Sequence, residues 1–202
     1  MAGSASIVVA TFGHPRWSAL ARFRAIPSAK RQTTSAQLIV EHGEALHSAR
    51  NDGASRAEGE WLIFLDADDE LDRGYVAAML AAAGPDVDLI QPATKLAGSR
   101  HPPALMEPKP LLTGNYLVIG TAVRASLFAD VGGFEEWPMY EDWDLWLRCV
   151  QAGARIGAAP SAIYRWWPSP GGRNDAPRAD QRSTYAAIRR RATHAMRRQR
   201  RR

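Results

Sequence analysis

Residues 57–69 read Ala57-Glu58-Gly59-Glu60-Trp61-Leu62-Ile63-Phe64-Leu65-Asp66-Ala67-Asp68-Asp69. Trp61 to Leu65 is an unbroken apolar run too short for a helix, the pattern of a strand covered on both faces. Gly59 ends the helix predicted over Ser48 to Ala57, because its tolerance of positive φ suits the position after a helix. The run stops abruptly at Asp66, Asp68 and Asp69. Three carboxylates in four positions repel one another unless a cation or hydrogen-bond donors compensate. Such a cluster either forms a turn that caps the next helix or holds a hard cation, Mg²⁺ or Mn²⁺, together with substrate phosphate oxygens. In the second case Asp68 is the better ligand, and Asp66 reaches a ribose or the metal's water shell.

Outward from this stretch, Ser6 to Phe12 reads as a buried strand. The Gly13-His14-Pro15 turn then leads to a helix carrying Trp17, Leu20, Ala21 and Arg24 at helical spacing. Gln37 to Glu41 is a second strand. Beyond the acidic run, Asp72 is placed to cap a helix whose apolar face is Tyr75, Val76, Met79, Leu80 and Ala83, broken by Gly84-Pro85. Val87 to Ile90 is a short strand, and the proline-rich stretch Ala97 to Pro110 is a surface loop. Tyr116 to Val123 is read as a strand, Ala125 to Val131 as a helix, and Gly132-Gly133-Phe134 as a turn. Asp142 to Gln151 is the clearest helix, with Trp143, Trp146, Leu147 and Val150 on one side and Gly153 past its end. Ile163 to Trp167 closes the pattern as a strand. This alternation predicts an α/β fold: one Rossmann-type, mostly parallel sheet with helices on both faces and ligands at the carboxyl ends of its strands.

At 202 residues the chain is long enough for one sizeable core. Its net charge of +5 is uneven, since 11 Arg and 2 Asp follow residue 172, leaving the body negative. A domain over residues 1–172 with a basic extension over residues 173–202 is therefore expected. The arginine clusters of that extension suit nucleic acid, an acidic membrane surface or an acidic partner, or simply a solvated, partly helical end. No apolar run approaches the ~20 residues of a membrane span, and the first residues carry no signal pattern. Cys149 is the single cysteine, which excludes an internal disulfide and points to the cytoplasm, with peripheral membrane contact through the extension.

Glu141-Asp142-Trp143-Asp144 forms a second acidic cluster. It opens the strongest helix, where the positive end of the dipole favours ionised carboxylates. Asp142 is accordingly expected to be charged at neutral pH and able to accept a proton. Ordinary N-capping explains the same pattern.

Taken in order, Ala49-Arg50-Asn51-Asp52-Gly53, the stretch Ala57 to Asp69, Gly132-Gly133-Phe134, and Glu141-Asp142-Trp143-Asp144-Leu145-Trp146-Leu147-Arg148 resemble the inverting family 2 glycosyltransferases of GT-A fold. The similarity spans Ser6 to about Trp167. It implies transfer of a sugar from a UDP-, GDP- or dTDP-sugar to a hydroxyl of an unidentified acceptor, with Mn²⁺ or Mg²⁺. Thr11 and Phe12 then contact the nucleobase and Arg50 lies near the nucleotide. Asp66 and Asp68 match the DXD motif and Asp142 the catalytic base, with Glu141 positioning the acceptor. Gly133, Phe134, Trp137 and Tyr140 are acceptor-side candidates. Trp137 and Tyr140, with Met139, form either an acceptor wall or core packing, and Trp166 and Trp167 present the same choice.

Three features depart from that family. Glu41-His42-Gly43 stands where paired Asp residues are usual, which makes Glu41 the substitute nucleobase contact. The segment Glu44 to Ser48 is short, implying an open nucleotide pocket. Trp167 stands nearest the place where relatives carry a metal-approaching His, so no third protein ligand is expected; His42 and His47 are nearby but are more simply surface residues. Two other functions fit the same residues: a nucleotide-sugar binder that has lost catalysis, and a glycosyltransferase brought to nucleic acid by its basic extension.

Overall fold

The computed structural model describes residues 3–169 and 176–199. The expected boundary at residues 172/173 and arginines 200–202 lie outside the described residues.

Strand β1 (Ala5–Phe12) is buried along nearly its whole length, as expected for an apolar run at the middle of a sheet. It pairs in parallel with β2 (Gln37–Gly43) on one side and with β3 (Trp61–Leu65) on the other. The chain between β1 and β2 forms two helices, α1 (Pro15–Phe23) and α2 (Ala25–Lys30), rather than one. The break has a local cause. Pro27 lacks the N–H that would bond to Phe23, and its ring crowds that carbonyl, so the helix restarts with Arg24 at the junction.

Helix α3 (Leu46–Ser55) returns to β3. Gly59 does not take positive φ as expected. Its missing side chain is needed because a Cβ there would lie 2.5 Å from the backbone of Ala5 and Ser6. After β3 come a two-residue strand, β4 (Glu70–Leu71), and α4 (Tyr75–Ala82). Asp72 does not cap α4; its carboxylate forms an ion pair with Arg165.

Strand β5 (Leu89–Leu96) is longer than predicted. The run from Tyr116 is not a strand until β6 (Ala122–Arg124). Before it, Asn115 accepts a bond from the Leu117 amide and Gly120 gives its carbonyl to the Tyr75 hydroxyl, so the backbone turns instead of extending. Helices α5 (Ala125–Asp130) and α6 (Glu141–Gln151) and strand β7 (Ile156–Trp166) follow.

The sheet order is β2-β1-β3-β6-β5-β7-β4. It is mixed rather than mostly parallel by pairing: β1/β2, β1/β3 and β5/β7 are long parallel ladders, whereas β3/β6, β5/β6 and β4/β7 are short antiparallel ones. The basic segment forms α7 (Arg178–Gln199), which lies against α6 and buries Thr184, Ile188 and Ala192. Among the described residues no helix is long and apolar enough to cross a membrane.

Candidate active site

The carboxyl end of β3 carries Asp66, and the N-terminus of α6 carries Glu141. Arg50, on α3 between them, is buried and donates Nη2 to Asp66 Oδ1 at 2.5 Å and Nη1 to Glu141 Oε1. Burial by itself would lower the guanidinium's pKa, but Asp66 and Glu141 more than offset this and keep it charged. Two acidic segments 75 positions apart are thus fixed to one cation. Arg50, expected near the nucleotide, has its donors engaged by Asp66 and Glu141, because a buried cation requires carboxylate partners. Asn51, the next residue, accepts from the Phe134 amide and donates to the Phe134 carbonyl, both at 2.8 Å. A Cβ on Gly133 would lie 2.6 Å from the Asn51 side chain, and Gly133 has φ +68°, so the turn before α6 depends on glycine there.

Phe134, an acceptor-side candidate, belongs to the core. It is buried, packs edge-on to Phe64 with ring centroids 4.8 Å apart, and lies under the Arg50 guanidinium. Its ring has no face left for a substrate. Trp137 and Tyr140 are half-buried against the core, and the Tyr140 hydroxyl donates to Gln181 of α7 at 3.1 Å. Tyr140 also has φ +62°, a strained conformation for a non-glycine residue at the entrance to α6. Trp166 and Trp167 are substantially exposed, which removes core filling as their explanation.

Asp142 follows Glu141 into the cleft, with its Oδ2 accepting from Asn115 Nδ2 at 3.0 Å. Its carboxyl is pushed up to about 7, first by burial and then by the adjacent Glu141, against the opposing pull of the Trp143 amide and Arg50. The helix dipole therefore does not keep it fully ionised at neutral pH as expected; desolvation wins. A carboxylate that titrates near neutrality is well matched to accepting a proton.

At the strand tip, Asp69 is buried and accepts from the Tyr164 hydroxyl at 2.8 Å and the Trp167 amide at 2.9 Å. Burial first, then Asp66 and Asp68, push it up to about 8. Asp68 is half-buried, and its pKa is raised by burial and by Asp66, with Ser169 and Arg24 opposing. Arg24 was missed as a site residue. It donates Nη1 to the Asp68 carbonyl at 2.7 Å and lies 4.2 Å over the Trp167 ring. The signal that would have found it is Pro27, whose break in the helix redirects Arg24 toward the acidic loop.

A divalent cation fits this loop. Among the described residues no three Asp, Glu, His or Cys side chains converge as a complete cage. Asp68 and Asp66 instead offer carboxylate oxygens of the kind a hard cation combines with phosphate oxygens. The raised pKa of Asp68 marks a carboxylate whose charged form any added cation would favour.

On the β1/β2 side, Thr11 is buried, with its hydroxyl 2.9 Å from His42 Nδ1. Phe12 is half-buried at the end of β1. Glu41 does not join the cleft; its carboxylate forms an ion pair with Arg56 beyond the end of α3. His42, expected only as a surface residue, is the exposed side chain opposite Thr11 at that strand end.

Residues 28–100, which include Arg50, Asp66 and Asp68, match the family model described as glycosyl transferase family 2. The pre-mycofactocin glycosyltransferase of Mycobacterium tuberculosis is 32% identical over 60% of this chain and 30% of the relative. The putative glycosyltransferase EpsH of Bacillus subtilis is 35% identical over 27% of this chain and 16% of that protein. The chain thus spans less than a third of the length of these curated relatives. Among solved structures, Staphylococcus aureus TarS 1-349 in complex with UDP-GlcNAc gives a TM-score of 0.67 at 18% identity, covering 86% of this chain and 61% of that one. The mannosyltransferase PcManGT of Pyrobaculum calidifontis, in complex with GDP-Man and Mn²⁺, gives 0.62 at 13% identity, covering 85% and 59%. The segment that carries the strand tip and its bridging arginine is thus similar to glycosyl transferase family 2, and the chain has an α/β fold like that of these solved glycosyltransferases.

Proposed function

We propose that the chain transfers a sugar from a nucleoside-diphosphate donor to an acceptor hydroxyl, with inversion at the anomeric carbon and with a divalent cation. The observation that supports this is the Arg50 bridge, which joins the strand tip to the start of α6 through Asp66 and Glu141. The solved neighbours described above hold UDP-GlcNAc and GDP-Man, the latter with Mn²⁺, which supports this donor class.

Asp142 accepts the acceptor's proton as the acceptor oxygen bonds to the anomeric carbon. The bond from that carbon to the diphosphate breaks on the opposite side, and the diphosphate leaves with the electron pair. Asn115 holds one Asp142 oxygen and leaves the other for the proton. Asp68 and Asp66 would hold the cation, which when bound would supply positive charge against that building on the diphosphate. Arg24 stands beside the same loop and would add positive charge for the diphosphate. Thr11, Phe12 and His42 line the nucleobase side, and Trp166 and Trp167 offer exposed aromatic faces to a sugar. Glu141 acts through Arg50, as a positioning residue for Asp142.

A thermal-shift screen of UDP-, GDP- and dTDP-sugars with and without Mn²⁺ tests this, since a ligand that binds only the folded state raises the unfolding temperature. A shift that requires both nucleotide and metal is the expected result. No shift with any nucleotide would overturn it.

A further inference from the structure

We infer that the acceptor carries a phosphate group, held beside the base by Arg178 and Arg182 of α7 together with Lys109. This rests on the proposal that Asp142 receives the acceptor's proton.

Helix α7 is fastened to the base-bearing helix on its inner side. Tyr185 stacks on Trp143 with ring centroids 4.3 Å apart, and its hydroxyl donates to the Thr113 carbonyl at 2.9 Å. Trp143 follows Asp142 directly, and Thr113 lies two residues before Asn115, which holds Asp142. The Tyr140 to Gln181 hydrogen bond fastens the same stretch of α7 to the residue that opens α6. A shallow depression beside the base is consequently lined by Tyr140, Arg178, Gln181, Arg182 and Tyr185. Lys109 adds a third cation: a Cβ on Gly114 would lie 3.0 Å from its Nζ and 4.0 Å from the Tyr185 hydroxyl.

The arginines of α7 fall into two kinds. Arg191 closes on Glu135 and approaches Asp144, so its charge is used within the fold. Arg178 and Arg182 are exposed, and among the described residues neither forms an ion pair, not even with Asp180, the single acid of the helix. They stand four positions apart, where like charges on a helix face repel. Two guanidiniums without an ion-pair partner among the described residues, and an ammonium, around an aromatic floor present several donors to an anion. Phosphate, with more acceptor oxygens than a carboxylate, suits several such donors at once. Tyr140, which lines the depression, stands two residues before Asp142, the residue proposed to take the proton of a hydroxyl on the same molecule.

The test is a ¹⁵N NMR titration of the full chain with glycerol 3-phosphate and, separately, with glycerol. Glycerol 3-phosphate should shift the amides of Tyr140 and of Arg178 to Tyr185, and glycerol should not. The double variant Arg178→Gln/Arg182→Gln should weaken this binding about tenfold, whereas Arg198→Gln, on the same helix but away from the depression, should leave it unchanged. Both variants alter exposed side chains, and an unchanged unfolding temperature checks their fold. A parallel titration with phosphatidylglycerol and phosphatidylcholine vesicles separates the sources. Broadening of the same amides by the first alone marks a lipid headgroup, and a response to glycerol 3-phosphate without it marks a soluble ester; each supports the phosphate site. Absence of any shift, or an equal loss in Arg198→Gln, would overturn it. Nucleotide-sugar binding in the thermal-shift screen is independent of these residues, so that proposal and this one fail separately.

Discussion

The acidic strand tip and the acidic helix start each place three carboxylates in four positions, and they divide them in the same way. One acid in each binds Arg50: Asp66 and Glu141. One is absorbed by the fold: Asp69 by Tyr164 and Trp167, and Asp144 by Arg148 at 2.9 Å with Arg191 nearby. One is left toward the cleft: Asp68 and Asp142. The difference lies in what compensates the absorbed acid. At the helix start it meets guanidiniums, whereas at the strand tip it meets neutral donors, a phenol and an amide. Charge meets charge in the first case, whereas in the second burial and the neighbouring acids hold the absorbed acid toward its neutral form. In the proposed function the strand tip would take the cation and the helix start would handle the proton.

Breaking this comparison should produce its largest effect at the two cleft-facing acids. Asp68→Ala should lower transfer by about 10³-fold or more and remove metal-dependent donor binding. Asp142→Asn should lower transfer by about 10²- to 10⁴-fold while leaving the donor's thermal shift intact. Full transfer by the purified Asn variant would end the assignment of the base. The shared cation comes next. Arg50→Met leaves buried Glu141 and half-exposed Asp66 without their shared cation and should destabilise the fold by about 3 kcal/mol in urea unfolding.

The proton-handling half has its own signature. The folded pKa of Asp142 is about 7, so kcat/KM should rise with pH as the carboxylate ionises and level off above that value. The residual activity of Asp142→Asn should lack that rise. The smallest effect separates the two absorbed acids. Asp144→Asn, which weakens charge-assisted bonds to Arg148 and Arg191, should cost about 1–3 kcal/mol. Asp69→Asn, which keeps an oxygen for the Trp167 amide, should cost about 1 kcal/mol or less in the same measurement. Equal losses would erase the distinction between the clusters.

Much of this was legible in the sequence wherever local pattern and tertiary role agree. Trp61 to Leu65 is buried on both faces because it is central, and its composition already says so. Helix α6 is amphipathic because it packs one side, and its tryptophans mark that side. The misreadings came where one pattern serves two structures. Tyr116 to Val123 is apolar enough for a strand, but the bonds of Asn115 and Gly120 turn it, and those partners are distant in sequence. Phe134 sits in a turn motif, yet its ring enters the Phe64 cluster. The Arg50 bridge spans 91 positions to Glu141, beyond any local signal. The docking of α7 did leave a trace in Thr184, Ile188 and Ala192 at four-residue spacing, masked by the arginines around them.

The stacking of Tyr185 on Trp143 also orders events during synthesis. The helix that bears the base is made well before the segment that roofs it, and a nascent chain lacks that roof until the residues of α7 have left the ribosome. Until then the aromatic face of Trp143 lacks its stacking partner, so this side of Asp142 is completed only after α7 has followed.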